Sequence, residues 1–234
     1  MSLTDALAPG RRRGIELLDD PSLDPALATR ALQDVARSNW WFGGASAVIA
    51  EVKPVFASRR AESLSLLDVG TGAGDIPELA RRTARAAGVR LFTMGLEITA
   101  PLAAASRART GDAIAGSGLA LPFANRSVDI VTCSQVLHHF EAADGARLLA
   151  EMNRVARVRV VVADLRRAWA AAAGFWLASF ALGFHPVTRH DGVVSVLRGF
   201  RSSELAAAVL NATGRSAAVR NRRGFRVTAS WSPA

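Results

Sequence analysis

Two hydrophobic periods alternate along most of the chain. Leu64 to Val69 is a short apolar run bounded by glycine and reads as a strand, whereas Pro77 to Ala87 repeats its apolar positions with the period of a helix. The alternation continues through a strand at Val89 to Glu97, a helix at Thr99 to Arg107, a strand at Val128 to Ser134 and a helix at Glu141 to Ala156. Arg157 to Leu165, rich in β-branched residues, is a further strand. Such alternation predicts an α/β domain, a parallel sheet covered by helices on both faces. Near the C-terminus, Ser202 to Gly214 reads as a helix with Ser202 as its cap, Glu204 in the first turn and Gly214 as its stop. Ser216 to Arg220 and Phe225 to Trp231 flank "NRRG" and read as a hairpin at the sheet edge.

The ends of this pattern differ from its middle. Ile15 to Glu51 is helical in period, with Leu17, Leu18, Leu27, Leu32 and Val35 on one apolar face and breaks at Pro21 and Pro25. "SNWWFGG", Ser38 to Gly44, then interrupts it. Residues 1–60 are therefore expected to form a helical extension or lid packed against a main domain of residues 61–234. Ala168 to Phe184 holds no charge, is slightly shorter than the roughly 20 apolar residues of a spanning helix, and is closed by His185-Pro186. A buried or surface-docking helix is expected there, and Trp169, Phe175 and Trp176 are its anchors if it lies in a membrane interface.

Composition narrows the class. Half of the 234 residues are hydrophobic and 21% are charged, which is globular rather than disordered. The net charge of +9 invites a nucleic-acid or anionic-membrane partner. Lys53 is the only lysine, however, and the arginines lie scattered, at Arg11 to Arg13, Arg59-Arg60, Arg81-Arg82, Arg166-Arg167 and Arg222-Arg223. That distribution describes solvated faces more than one binding stripe, so no nucleic acid is expected as a partner. One cysteine, Cys133, excludes an internal disulfide framework and fits a reducing compartment. The first residues carry acid and proline where a signal peptide needs an apolar core. A cytoplasmic protein, or one peripheral to a membrane, is expected.

The chemistry begins at "LLDVGTGAGDIPELA", residues 66–80, where a strand runs through three glycines into a helix. Close glycines at a strand-to-helix turn let a ligand approach the backbone at the carboxyl end of a sheet. The dinucleotide fingerprint fails, because its last glycine would fall on Asp75. Instead Asp68 precedes Gly70, Gly72 and Gly74. A carboxylate before the turn is awkward beside a pyrophosphate and suits a ligand with an ammonium group and a cationic sulfur, as in S-adenosylmethionine. Glu97 ends the second strand, where a carboxylate can take both ribose hydroxyls.

With "LLDVGTGAGD", "GLEIT", "LALPFANRSVDIVTCSQVLHHF" and "EMNRVARVRVVVADL" in this order, the chain resembles the class I S-adenosylmethionine-dependent methyltransferases. The likeness is to the small-molecule group with a ubiquinone/menaquinone-methyltransferase type of domain, and it covers about Leu64 to Ser230. It implies a Rossmann-like, doubly wound, mostly parallel sheet of seven strands with a C-terminal antiparallel hairpin. It also implies that Asp68, Gly70, Thr71, Gly72 and Gly74 wall the methionine side, that Glu97 clamps the ribose, that Ile98 packs on adenine, and that Ser134 touches the methionine end. The family usually places an acid shortly before "LPF", facing the adenine amine. Here the gapless register puts Ser117 there, with Gly118 and Leu119 lining the adenine, while a register with an insertion would use Asp112. In the Ser117 register Asp112 is only a loop residue.

In the same resemblance His139 of "VLHHF" faces the cofactor pocket and is the candidate catalytic base, or it orients the acceptor. His138 is a candidate acceptor contact. The Asn/Asp-Pro-Pro-aromatic run of base amino-methylation is replaced by "CSQV", Cys133 lacks the preceding proline of cytosine carbon methylation, and no paired acids stand ready for a guanidinium. Cys133 reads as a small buried hydrophobe. A small acceptor remains, and the aromatic extension (Trp40, Trp41, Phe42) and the apolar segment (Trp169, Phe175, Trp176, Phe180, Phe184) suggest a lipophilic or aromatic one methylated at oxygen or carbon. Trp41, Phe42, Trp176 and Arg189 join His138 as substrate contacts. No metal is expected; a homodimer and a peripheral membrane contact stay open. The competing readings are an RNA methyltransferase, a cofactor-binding protein without catalysis, and a nicotinamide-dependent oxidoreductase.

Overall fold

The structure, a computed structural model, describes residues 8–12, 14–20 and 22–233. The first seven residues, Arg13 and the expected break at Pro21 lie outside the described residues. One sheet of seven strands runs through the molecule: β1 (Ser63–Val69), β2 (Arg90–Glu97), β3 (Asp112–Ala115), β4 (Val128–Ser134), β5 (Ala156–Leu165), β6 (Ala218–Arg222) and β7 (Arg226–Trp231). Their order is β3-β2-β1-β4-β5-β7-β6, with the first five parallel and β7 antiparallel to both of its neighbours. This is the Rossmann-like arrangement that the sequence resemblance implies. Strand order reverses between β1 and β4, which opens a crevice at their carboxyl ends.

The helices are α1 (Pro25–Trp41), α2 (Gly44–Ser58), α3 (Asp75–Ala86), α4 (Ala100–Thr110), α5 (Ala142–Val155), α6 (Trp169–Ala181), α7 (Pro186–Arg198) and α8 (Ser202–Thr213). The two-residue period of the strands divides the core between the faces. Leu66, Ile130, Val161 and Ala163 pack with Val48, Val52 and Phe56 of α2 and Ala80 of α3. Leu67, Val131, Val160 and Val162 pack with Leu148 and Met152 of α5 and with Leu205 and Val209 of α8. Residues 44–58 thus form one wall of the sheet's core, and Glu51 of α2 accepts hydrogen bonds from Thr228 and Ser230 of β7 and from Arg222 of β6.

Several local expectations are corrected. Asp24 accepts hydrogen bonds from Ala26 N and Leu27 N, so α1 starts at Pro25; it then continues through Trp41 instead of stopping at Ser38, and Gly43, at φ 75°, makes the break. Leu17, before α1, and Val35 stay exposed, and α1 turns Ala31, Val35 and Ser38 toward a cavity and not toward a packed core. Asp112 is no loop residue; it opens β3, a four-residue edge strand whose mixed exposure hides it from pattern reading. Ser202 is the first helical residue of α8, and Glu204 instead accepts the Arg201 N–H at 2.9 Å. The hairpin strand β6 lies two residues later than expected, since Arg222 pairs with Arg226 around Gly224 at φ 69°.

Helix α6 occupies the charge-free segment. Ala171 and Ala172 are buried, while Trp169, Trp176, Leu177 and Phe180 remain exposed. Among the described residues no helix is long and apolar enough to cross a membrane. The sequence reading gave no element to residues 189–200, yet α7 fills most of that stretch, because Gly192 takes the Phe175 ring against bare backbone: a Cβ there would stand 2.0 Å from Phe175 Cε1.

Before α1 the chain runs as a strap across α7. Arg12 N donates to Leu197 O, and Leu17 N and Leu18 N each donate to the Asp191 carboxylate at 2.8 Å. Arg167, 1% exposed, donates from Nε to Pro9 O at 2.7 Å and from Nη2 to Glu204 Oε1 at 2.7 Å. The strap carries Glu16 inward, where it accepts hydrogen bonds from Ser195 Oγ at 2.8 Å and Arg198 Nη1 at 2.9 Å.

Candidate active site

β1 delivers its last residues to the crevice. Asp68 is 1% exposed and accepts hydroxyl hydrogen bonds from Thr71 at 3.0 Å and Thr132 at 2.6 Å. Burial pushes its carboxyl up to about 7 even though both hydroxyls favour the charged form. Gly70 adopts φ 70°, and a Cβ there would meet Val136 Cγ2 at 2.4 Å, so the turn closes over β4 only with glycine. Gly72, at φ 54°, has open space where its Cβ would be and donates its N–H to Glu97 Oε1. Gly74, at φ 75°, is the N-cap of α3. Burial raises the Glu97 carboxyl, with the N–H groups of Gly72 and Ile98 opposing it.

Beyond this turn lies a cavity of about 830 Å³. At one end it is lined by Gly70, Glu97, Ile98, Ser117, Gly118 and Leu119, all expected to meet the cofactor. Toward the other, Val35 and Phe42 of the α1 segment, Phe175 of α6 and Val196 of α7 supply the apolar part of the lining. Asp68 and Thr71 stand behind the wall, bonded to each other, and Ser134 Oγ is buried without a hydrogen-bond partner. An open glycine turn with a carboxylate one strand away fits an adenosyl group with ribose hydroxyls to be held, and it offers no cradle for a pyrophosphate.

The polar corner is where the two histidines part. His138 is buried, with Nδ1 2.6 Å from Asp164 Oδ1, its backbone N donating to Asp164 Oδ2 at 3.1 Å, and Nε2 without a hydrogen bond. Asp164 is fully buried, which alone would raise its carboxyl; its contact with His138 and the Leu165 N–H outweigh that and hold it below the usual range. His139 is more exposed, stacks on His138 with ring centroids 4.3 Å apart, and has Nδ1 3.5 Å from Arg198 Nη1. Glu16 reaches both rings, with Oε1 3.9 Å from His138 Nε2 and Oε2 3.9 Å from His139 Nε2. The three residues bring ligand atoms within 4.8 Å of one another, and the Arg198 guanidinium supplies positive charge at that spot.

Not every expected contact faces this space. His138, His139 and Phe42 line the cavity, whereas Trp41 and Trp176 are exposed away from it. Arg189 lies outside it too, with Nε on Ser179 Oγ at 3.0 Å and its guanidinium 3.5 Å over the Phe180 ring. The physical reason is helical phase: Phe42 and Phe175 point inward, so the adjacent Trp41 and Trp176 turn outward. Glu16, Asp164, Gln135 and Arg226 were missed. Asp164 could have been found, since it lies near the end of β5 as Asp68 and Glu97 do at β1 and β2; Glu16 carries no such signal.

Comparison with known proteins agrees with this geometry. Residues 67–163 match the family described as Methyltransferase domain. A SAM-dependent methyltransferase from Aquifex aeolicus is similar at 13% identity and a TM-score of 0.56, covering 79% of this chain and 89% of that one. Magnesium protoporphyrin IX methyltransferase from Synechocystis PCC 6803, solved with bound SAH, is similar at 13% identity and a TM-score of 0.53, covering 92% and 90%. PigF with SAH is similar at 18% identity and a TM-score of 0.59, covering 93% of this chain and 64% of that one. Among curated proteins no sequence matches. The fold is that of the class I methyltransferases. Residues 67–163 thus form a methyltransferase domain at the centre of that fold.

Proposed function

We propose that this protein is a class I S-adenosylmethionine-dependent methyltransferase that methylates a hydroxyl of a small lipophilic or aromatic acceptor, with His138 as the base. The observation that carries the reading is the His138 ring, buried at the cavity wall, bonded to Asp164 on one edge and unbonded on the other. An ionised Asp164 keeps the proton on Nδ1, so Nε2 presents its lone pair to the cavity.

In this reading Gly70 and Gly72 shape the methionine side, Glu97 holds the ribose hydroxyls, and Ile98 with Ser117, Gly118 and Leu119 encloses the adenine. The bound cofactor supplies an electrophilic methyl group on a cationic sulfur. The acceptor lies among Val35, Phe42, Phe175 and Val196, its hydroxyl toward His138. As the methyl group passed from the cofactor's sulfur to the oxygen, with the sulfur–carbon bond breaking to leave a neutral thioether, Nε2 would take the hydroxyl proton, and the imidazolium so formed would sit between Asp164 and Glu16. The strap, α1 and α6 exclude water and hold the acceptor in line. An enolised carbon acceptor can use the same base.

The test is a panel of phenols of increasing apolar size, assayed with S-adenosylmethionine against wild type and His138→Ala. Methyl transfer to apolar phenols by wild type, and its loss in the variant with SAH binding intact, supports the reading. Equal turnover by the two proteins removes it.

A further inference from the structure

Arg226 is the first residue of β7, and because β7 runs antiparallel to β5, that residue pairs with Leu165 at the carboxyl edge of the sheet, where ligands collect. The residue is only 3% exposed and lines the same cavity as Glu97 and His138. Its hydrogen bonds go to uncharged groups: Nη1 donates to Gln135 Oε1 at 2.6 Å and Nε to Phe42 O at 3.3 Å. Nη2 makes no hydrogen bond to the described residues, and among them no carboxylate oxygen lies within the 4.0 Å of an ion pair.

Among the described residues the other buried guanidinium, Arg167, has a carboxylate bonded to it, Glu204. Arg226 has only a distant one: Asp164 acts on it through space, and both Asp164 oxygens are already bonded, by His138 and by the Leu165 N–H. Burial pushes the guanidinium down to about 10, against the pull of Asp164. A buried cation is costly unless it is paired, and a guanidinium fork fits a carboxylate with two parallel bonds. The partners that do touch it come from the α1–α2 junction and from the residue after β4, so they fix the fork's direction without neutralising it.

We infer that Arg226, aimed by Gln135 and the Phe42 carbonyl, is the cavity's receptor for a carboxylate carried by a bound ligand. Two ligands can bring that group to the cavity: the amino-acid end of the cofactor, or an acceptor bearing a carboxylate beside its hydroxyl. The inference rests on the methyltransferase reading for the identity of the first ligand only.

The experiment compares wild type, Arg226→Met and Arg226→Lys by calorimetry with three probes: SAH, 5′-methylthioadenosine, which lacks the carboxylate, and salicylate added to the SAH-loaded protein. If the cofactor brings the carboxylate, Arg226→Met weakens SAH by about tenfold or more, leaves methylthioadenosine unchanged, and is partly rescued by lysine. If the acceptor brings it, SAH binds all three proteins alike while salicylate binds wild type and not Arg226→Met. Thermal melts confirm that the variants fold, and Arg226→Lys keeps the test alive if the methionine variant does not. Equal affinity of wild type and variant for both SAH and salicylate overturns the assignment. Weakening of methylthioadenosine in parallel with SAH also overturns it, since the loss would then be one of shape. The His138 panel reads turnover and not these affinities, so the two readings fail separately.

Discussion

His138 Nδ1 stands 2.6 Å from Asp164 Oδ1, and the other edge of the same ring faces Glu16 Oε1 at 3.9 Å. One carboxylate fixes the ring; the other reaches the space where a proton would arrive. His138→Ala is therefore expected to lower turnover by about 10²-fold or more while leaving SAH affinity nearly unchanged. Asp164→Asn should fall in the same range, and His139→Ala should stay within about tenfold of wild type. Steady-state rates with an active acceptor check all three, and a larger loss at His139 than at His138 would reverse the roles.

Glu97→Ala should weaken SAH by about 1–3 kcal/mol, the scale for losing hydrogen bonds to a charged group. The same change frees the Gly72 N–H, so part of the loss is a looser turn. Calorimetry gives the affinity, and Glu97→Gln, which keeps an acceptor oxygen, should recover some of it. Wild-type affinity in Glu97→Ala would contradict the ribose role.

Asp68 imposes a pH dependence on the ligand-free protein. Its carboxyl holds a proton up to about pH 7 in the fold, against a value of 3.8 when unperturbed. Between those values the folded state binds more protons than the unfolded one, so the contribution is fully present below 3.8 and is lost as pH rises through about 7. The difference amounts to about 4 kcal/mol at about 1.4 kcal/mol per unit. Melting curves across that window should show a decline in wild type that is flattened in Asp68→Asn; parallel curves would place the titration elsewhere.

Gly70→Ala should destabilise the fold by at least about 1–2 kcal/mol, the cost of a left-handed conformation for a residue with a Cβ. The contact at 2.4 Å with Val136 adds to it. Denaturant unfolding measures the sum, and Gly70→Ala combined with Val136→Ala should recover the contact part but not the conformational part.

The sheet was legible in the sequence because buried parallel strands write themselves as apolar runs between glycines, as Val128 to Ser134 does. β3 left no such mark: a four-residue edge strand with two exposed ends has little apolar pattern to show. At the glycine-turn end of the cavity, Gly70, Glu97 and Ser117 to Leu119 could be named from the sequence as residues that share one space, because they stand at or near strand ends, and they do line one cavity. The acceptor end was not legible in that way. Choosing between His138 and His139 needs the phase of a three-residue helical turn, which no period reveals. Glu16 and Arg226 enter through contacts with residues far away in sequence, and such pairings are set by tertiary packing alone.

The strap sets an order on how this protein comes into being. The strands β1, β2 and β4, with their glycine turn, lie within residues 63–134. Glu16 is made before all of them, yet its partners Ser195 and Arg198 follow it by 179 and 182 residues. Contacts of such long range close late. Glu16 can therefore take its place in the cavity wall only after residues 195–198 have been made.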